Sequence, residues 1–196
     1  MAAVSDVEIW KPLLVVIGLY ALIFGGFKGR AFVLCVGVVL LISGTLVVRT
    51  LKASVERKRP KQVQVVRMVQ LQKASPKFLT LFQQPTIRYS GEKDRKSSGP
   101  SFPSGHVTDN VLVAIACTLF FRRWGWLYWF FAAAVGYSRI YLGAHWPSDV
   151  IGTFFLALGE ALLLFVALEW LWRKLAARWA PDLFARHPSL IGVPAT

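Results

Sequence analysis

Pro103-Ser104-Gly105-His106 opens an apolar run that continues to Phe121, directly after a loop rich in Gly, Ser and Lys. The change of composition marks a helix start. Ser104 suits the N-cap, where its hydroxyl accepts an N–H of the first turn. Gly105 lets an oxyanion come close to the backbone. The free N–H groups and the positive end of the helix dipole make such a start a ready phosphate site. His106 adds a group that can donate a proton near neutral pH. Four residues of this kind more often mark an ordinary Ser-capped helix, so the rest of the chain decides.

Of the 196 residues, 55% are hydrophobic and eight are Trp, with a mean hydropathy of +0.50. A soluble domain of this length rarely carries so much apolar sequence, and the composition reads as an integral membrane protein. The formal charge of +13 calls for an anionic partner, a phosphate-bearing substrate or an anionic bilayer surface. The apolar runs argue against a nucleic-acid-binding domain. Cys35 and Cys117 lie inside apolar runs and read as small core or lipid-facing residues. No Cys/His cluster has zinc spacing. Asp6 and Glu8 precede the first apolar run, where a signal peptide carries a basic region, so that run is expected to be a retained helix.

Five apolar runs are expected to span the membrane: 12–27, 31–51, 106–121, 124–141 and 149–172. The fold class is therefore all-α, a helical membrane bundle forming one domain over 1–196. The long polar loop 52–102 lies between the second and third spans, and a basic tail covers 173–196. Mixed apolar and basic positions over 63–82 predict one or two amphipathic helices on the membrane surface. Residues 90–101 read as a mobile loop, and the tail as loose or surface-lying. Five spans place the loop after span two, the start of span three, the end of span four and the start of span five on one side. Lys52, Arg59, Ser104, His106, Arg139, His145 and Asp149 then share that side. The short opposite loops carry Lys28, Arg30, Arg122 and Arg123, a mark of the cytoplasmic face.

Three further clusters join the 103–106 stretch. Lys52 and Arg59 are seven positions apart, nearly two turns of one helix that Pro60 would end or bend. Two cations on one face suit a dianionic phosphate, although cations beside a span more often anchor to headgroups. Arg139 follows Ser138 near the end of span four, where it must snorkel, pair or face a polar site. His145 and Asp149 stand at i and i+4. Their carboxylate can take the Nδ1–H and leave Nε2 free as a nucleophile, though such pairs are more often caps or ion pairs. Asp109, three residues after His106, reads as a group able to stabilise the imidazolium, or as a plain polar residue. Glu160, deep in span five, reads as a protonated partner in an interhelical hydrogen bond.

Together the chain runs Lys52-x6-Arg59-Pro60, then Pro103-Ser104-Gly105-His106, then Ser138-Arg139-x5-His145-x3-Asp149. This resembles the three-part signature of the type 2 phosphatidic acid phosphatase (PAP2) superfamily, with every position filled in order. Many membrane members have six spans. A missing first helix, or a surface helix around 4–11, would reconcile that number with five. The resemblance implies a membrane lipid phosphatase of phospholipid or cell-envelope metabolism. His145 would attack phosphorus to give a phosphohistidine, Asp149 would orient it, and His106 would protonate the leaving oxygen. Lys52, Arg59, Ser104, Gly105 and Arg139 would hold the phosphoryl oxygens, with no metal or other cofactor needed. Undecaprenyl pyrophosphate, phosphatidylglycerol phosphate, phosphatidic acid and the lipid A phosphates are the candidate substrates. A bacterial inner membrane with the site on its extracytoplasmic side is the expected location. A phosphotransferase with the same site, and a non-catalytic protein that binds anionic lipid, are the alternatives. The second of these has no use for a nucleophile.

Overall fold

The computed structural model describes residues 2–72, 74–96 and 99–191. A 3-10 turn, Ala2–Ser5, leads into α1, Val7–Phe24, whose N-cap Asp6 accepts the Glu8 N–H. The chain turns at Gly25 into α2, Gly26–Ile42, and runs on through a π turn, Ser43–Val47, into α3, Val48–Val55. The long loop then holds α4 (Pro60–Val63), β1 (Arg67–Gln70), a 3-10 segment (Lys77–Phe82), β2 (Thr86–Tyr89) and α5 (Glu92–Lys96). It is followed by α6 (Gly105–Phe120), α7 (Tyr128–Tyr141), α8 (Pro147–Trp179) and α9 (Pro181–Arg186).

The central helix is α6, which packs against α8, α7 and α2. Its Val111, Leu112, Ile115 and Phe120 join Cys35, Val39, Ala157, Ala161 and Phe165 in one apolar core. The buried side of α8 recurs every fourth residue, through Asp149, Thr153, Ala157, Ala161 and Phe165, which is one face of an α-helix. Two alanines four apart let backbones approach closely, as membrane helix interfaces favour. The polar end of this stripe, Asp149 and Thr153, is the end at which the candidate site residues gather.

The outer surface is apolar. α1 buries only Ile9 and exposes Leu13, Val16, Ile17 and Ile23, with Phe24 71% exposed. A surface of this extent is stable against lipid and not against water. Among the described residues, three helical stretches are long and apolar enough to cross a membrane: Val7–Phe24, the continuous run of α2, the π turn and α3 within Gly26–Val63, and Pro147–Trp179. α6 is apolar but, with 16 residues, rises only about 24 Å against a hydrocarbon core of about 30 Å. α7 is shorter still, with 14 residues. The all-α membrane bundle is as expected. Residues 7–11 begin α1 itself, so the described chain has no separate surface helix there.

Three expectations about the polar segments are corrected. Among the described residues of 63–82, beyond the end of α4 at Val63, only Lys77–Phe82 is a helical segment, a 3-10 helix with Phe78, Leu81 and Phe82 exposed, while Arg67–Gln70 is a strand. Arg67–Gln70 pairs antiparallel with Thr86–Tyr89, Met68 opposite Arg88 and Val69 opposite Ile87. Val69, Thr86, Ile87 and Tyr89 are strand formers, and once a partner strand is in reach the ladder satisfies backbone groups that an isolated short helix would leave open. The expected loose loop 90–101 instead begins with a folded turn. Arg88 grips Asp94 of α5 with two parallel bonds of 2.6 and 2.7 Å. That guanidinium holds the Asp94 carboxyl well below the usual carboxylate range. Residues 97 and 98 of that loop lie outside the described residues.

The tail is also not loose. α8 continues to Trp179, and after α9 the His187 ring stacks on Phe27 at 4.0 Å. Trp172 Nε1 donates to the His187 carbonyl, and Glu169 Oε2 accepts the N–H groups of Leu190 and Ile191. A half-buried carboxylate accepting two successive N–H groups is enough to hold this segment. Residues 192–196 of the expected tail lie outside the described residues.

Candidate active site

α3 ends at Val55, and Glu56 takes a left-handed conformation with φ 46°. Arg57 to Arg59 are non-helical, and Pro60 occupies the first turn of α4 with Arg59 as its N-cap. Lys52 and Arg59 therefore do not share a helix face. Proline starts the next helix here instead of ending the last, because its fixed φ and missing N–H suit that position. The two cations remain close enough for Arg59 to act electrostatically on Lys52. Arg59 Nε donates to the Gly99 carbonyl at 2.8 Å, and its Nη2 to the Pro100 carbonyl at 3.3 Å.

Ser104 is the N-cap of α6 but makes no side-chain cap. Its hydroxyl is fully buried and has no hydrogen-bond partner among the described residues. Its backbone N–H is taken instead by Thr153 Oγ1 of α8 at 3.0 Å. The space beside Gly105 is open, since a Cβ there would meet no heavy atom within 4 Å. Arg139, in the last turn of α7, donates from Nη1 to Ser5 Oγ at 3.0 Å, while its Nε is buried without a partner. A buried donor left open in this way costs free energy unless a ligand meets it.

His145 precedes the N-cap of α8, which is Trp146. The i, i+4 relation with Asp149 is therefore not a helical one, and the expected Nδ1–Asp149 bond is not formed. Asp149 folds back onto its own helix start, accepting the Trp146 N–H at 3.0 Å in a capping box. It also accepts Arg57 Nη1 at 2.8 Å and Ser101 Oγ at 2.5 Å. His145 Nδ1 lies 2.6 Å from the Ser101 carbonyl. A carbonyl only accepts, so Nδ1 carries the proton and Nε2 keeps its lone pair. Gly143, at φ +62°, makes the bend between Arg139 and His145, and the Arg139 carbonyl accepts the N–H groups of Ala144 and His145.

His145 is 3% exposed. Burial pushes its imidazole down to about 3, with the charges of Arg59 and Arg139 adding to the effect against the hydrogen bond to Ser101. The charges of Arg139, Lys52 and Arg59 also act on His106. Two histidines from different helix starts thus lie within electrostatic reach of the same three cations. Asp109 acts on Lys52 instead. Glu160 of α8 faces the buried Ser43 hydroxyl of the π turn across the helix interface, in a contact looser than an ordinary hydrogen bond. Ser5, Arg57, Ser101 and Thr153 escape the sequence reading. Each is an ordinary Ser, Thr or Arg in a segment that holds several, and only their long-range partners distinguish them.

Residues 32–173 match the PAP2 superfamily. The chain is 38% identical over 65 residues to undecaprenyl-diphosphatase BcrC of Bacillus subtilis, covering 33% of this chain and 34% of that protein. It is 34% identical over 92 residues to lipid A 4'-phosphatase of Porphyromonas gingivalis, covering 46% and 37%. With lipid A 1-phosphatase of Rhizobium johnstonii it shares 37% identity over 86 residues, covering 44% and 34%. The matched stretch therefore spans only about a third of each relative. No solved structure matches the chain. A match over residues 32–173, with all three signature segments inside it and their side chains gathered at one end of the bundle, makes this chain a member of the PAP2 superfamily.

Proposed function

We propose that the protein is an integral membrane phosphatase that hydrolyses a phosphate or pyrophosphate ester of an envelope lipid. The observation that carries this reading is the meeting of His106 and His145 around Lys52, Arg59 and Arg139. The open Ser104 hydroxyl and Arg139 Nε stand in the same residue set. Lipid binding alone has no use for a neutral histidine held within electrostatic reach of three cations.

In the proposed reaction Nε2 of His145 attacks phosphorus in line, and the bond to the leaving oxygen breaks as His106 gives that oxygen a proton. The product is a phosphohistidine. Water then attacks phosphorus, His106 takes the water proton, the P–N bond breaks and inorganic phosphate leaves. Lys52, Arg59, Arg139, Ser104 and the Gly105 N–H hold the phosphoryl oxygens and stabilise charge as it builds. The cations supply that stabilisation, so turnover is expected with a chelator present. The names of the relatives favour undecaprenyl pyrophosphate and lipid A phosphates, ahead of phosphatidylglycerol phosphate and phosphatidic acid. The short-loop charges favour an inner membrane with the site facing outward.

The test is phosphate release by the detergent-purified protein across these four lipid classes, beside His145→Ala. Release by the wild type alone is the expected result. Release at the wild-type rate by a folded His145→Ala protein would remove His145 as the nucleophile. Formation of a new lipid phosphate on adding a lipid alcohol, with no release of inorganic phosphate, would identify a phosphotransferase.

A further inference from the structure

Arg57 and Ser101 lie outside the three-part signature, yet they close a ring with Asp149. The Ser101 N–H donates to the Arg57 carbonyl at 2.6 Å. Arg57 Nη1 donates to Asp149 Oδ1 at 2.8 Å, and Ser101 Oγ donates to Asp149 Oδ2 at 2.5 Å. Three hydrogen bonds thus join three segments that are far apart in the chain. Ser101 and Asp149 are fully buried, while Arg57 reaches in from the surface with its side chain 42% exposed. Two further bonds brace the ring, from Arg57 Nη2 to Ser148 Oγ and from Trp146 Nε1 to the Lys58 carbonyl. The group the ring presents outward is the Ser101 carbonyl, which accepts the Nδ1–H of His145.

We propose that Asp149 acts on His145 through Ser101, and that Ser101 and Arg57 are positioning residues that aim the imidazole. The inference rests on the reading of His145 as the nucleophile. The carboxylate fixes the Ser101 hydroxyl, the hydroxyl fixes the Ser101 peptide, and the peptide carbonyl fixes both the tautomer and the tilt of the ring. Arg57 is the counter-ion of the buried carboxylate, and its own carbonyl holds Ser101 by the N–H of the preceding peptide. Removing the hydroxyl leaves the carbonyl present but no longer tied to Asp149. A small misplacement of a nucleophile is enough to lower the chemical step, without a matching loss of substrate binding.

The experiment is a double-mutant cycle of Ser101→Ala and Asp149→Asn in the full chain, with kcat and KM read separately and folding checked by thermal unfolding. Ser101→Ala and Arg57→Ala are each expected to lower kcat by about 10- to 100-fold with little change in KM. Ser101→Ala in the Asp149→Asn background is expected to cost little more, because both changes cut one linkage. Arg57→Lys should recover part of the loss. Independent, additive losses, or a Ser101→Ala variant with wild-type kcat, would overturn the proposal.

A second readout needs no turnover. Nitrogen-15 NMR of the three histidines in wild type should show His145 neutral with its proton on Nδ1, and Ser101→Ala should shift it toward a tautomer mixture. If no lipid is hydrolysed, the functional reading fails and this signature still decides the positioning. An unchanged His145 signal in folded Ser101→Ala overturns the inference even where the wild type is active.

Discussion

At the scale of single residues, the site is defined by donors without acceptors. Ser104 Oγ and Arg139 Nε are both buried and open, and Gly105 leaves space beside its backbone. Gly105→Ala is therefore expected to fold normally but to place a methyl group where a phosphoryl oxygen would sit. Its thermal unfolding should match the wild type while orthovanadate inhibition weakens by about 10-fold or more. His145 carries a second expectation. Its folded value of about 3 lies below the ordinary 6.5, so between those pH values the unfolded chain binds the extra proton. The neutral imidazole thus contributes stability that is present above pH 6.5 and is lost as pH falls toward 3. A series of melting curves at falling pH should show wild type losing stability faster than His145→Asn. Equal slopes would mean that the imidazole is not held neutral.

At the scale of elements, the bend between α7 and α8 sets the position of His145, the proposed nucleophile. Gly143 has φ +62°, and a Cβ on it would come within 2.9 Å of Val66 Cγ2 in the long loop. Gly143→Ala is expected to cost about 1 kcal/mol or more from the left-handed backbone alone, and to lower kcat by displacing His145. A denaturation midpoint and a rate for the same variant would show whether both fall together. The long loop itself behaves as a folded unit. The hairpin of β1 and β2 continues through Val66 and Ser90, which exchange two hydrogen bonds, and the Arg88–Asp94 fork closes α5 onto it. Only the pairing with Thr86–Tyr89 turns Arg67–Gln70, inside the mixed pattern of 63–82, into a strand.

At the scale of the whole molecule, one end of the bundle is polar and organised while the sides are apolar. The C-terminal segment returns to the opposite end and docks on Phe27 and Glu169. His187→Ala should lower thermal stability by about 1 kcal/mol, the worth of one aromatic stack, and leave turnover unchanged. A drop in turnover at constant stability would place that end in communication with the site. Orientation is tested by Glu92→Cys on α5. With the site outward, a membrane-impermeant maleimide labels this residue in intact cells. Labelling only after lysis would reverse the topology.

The sequence by itself determined the membrane class and the helical bundle and singled out the candidate site positions, because hydropathy and residue spacing are local properties that survive without a fold. Lys52, Arg59, Ser104, His106, Arg139, His145 and Asp149 were legible as a group once the spans were counted. What holds each of them was not legible. Spacing of i, i+4 suggested that Asp149 touches His145, but the helix begins one residue too late for that. The carboxylate satisfies the helix start and Arg57 instead, and the imidazole turns to the Ser101 carbonyl. A hydrogen bond between residues 44 positions apart leaves no periodic mark in a chain. Only the packing of α6 against α8, which brings the loop before Ser104 onto the start of the last long helix, could decide it.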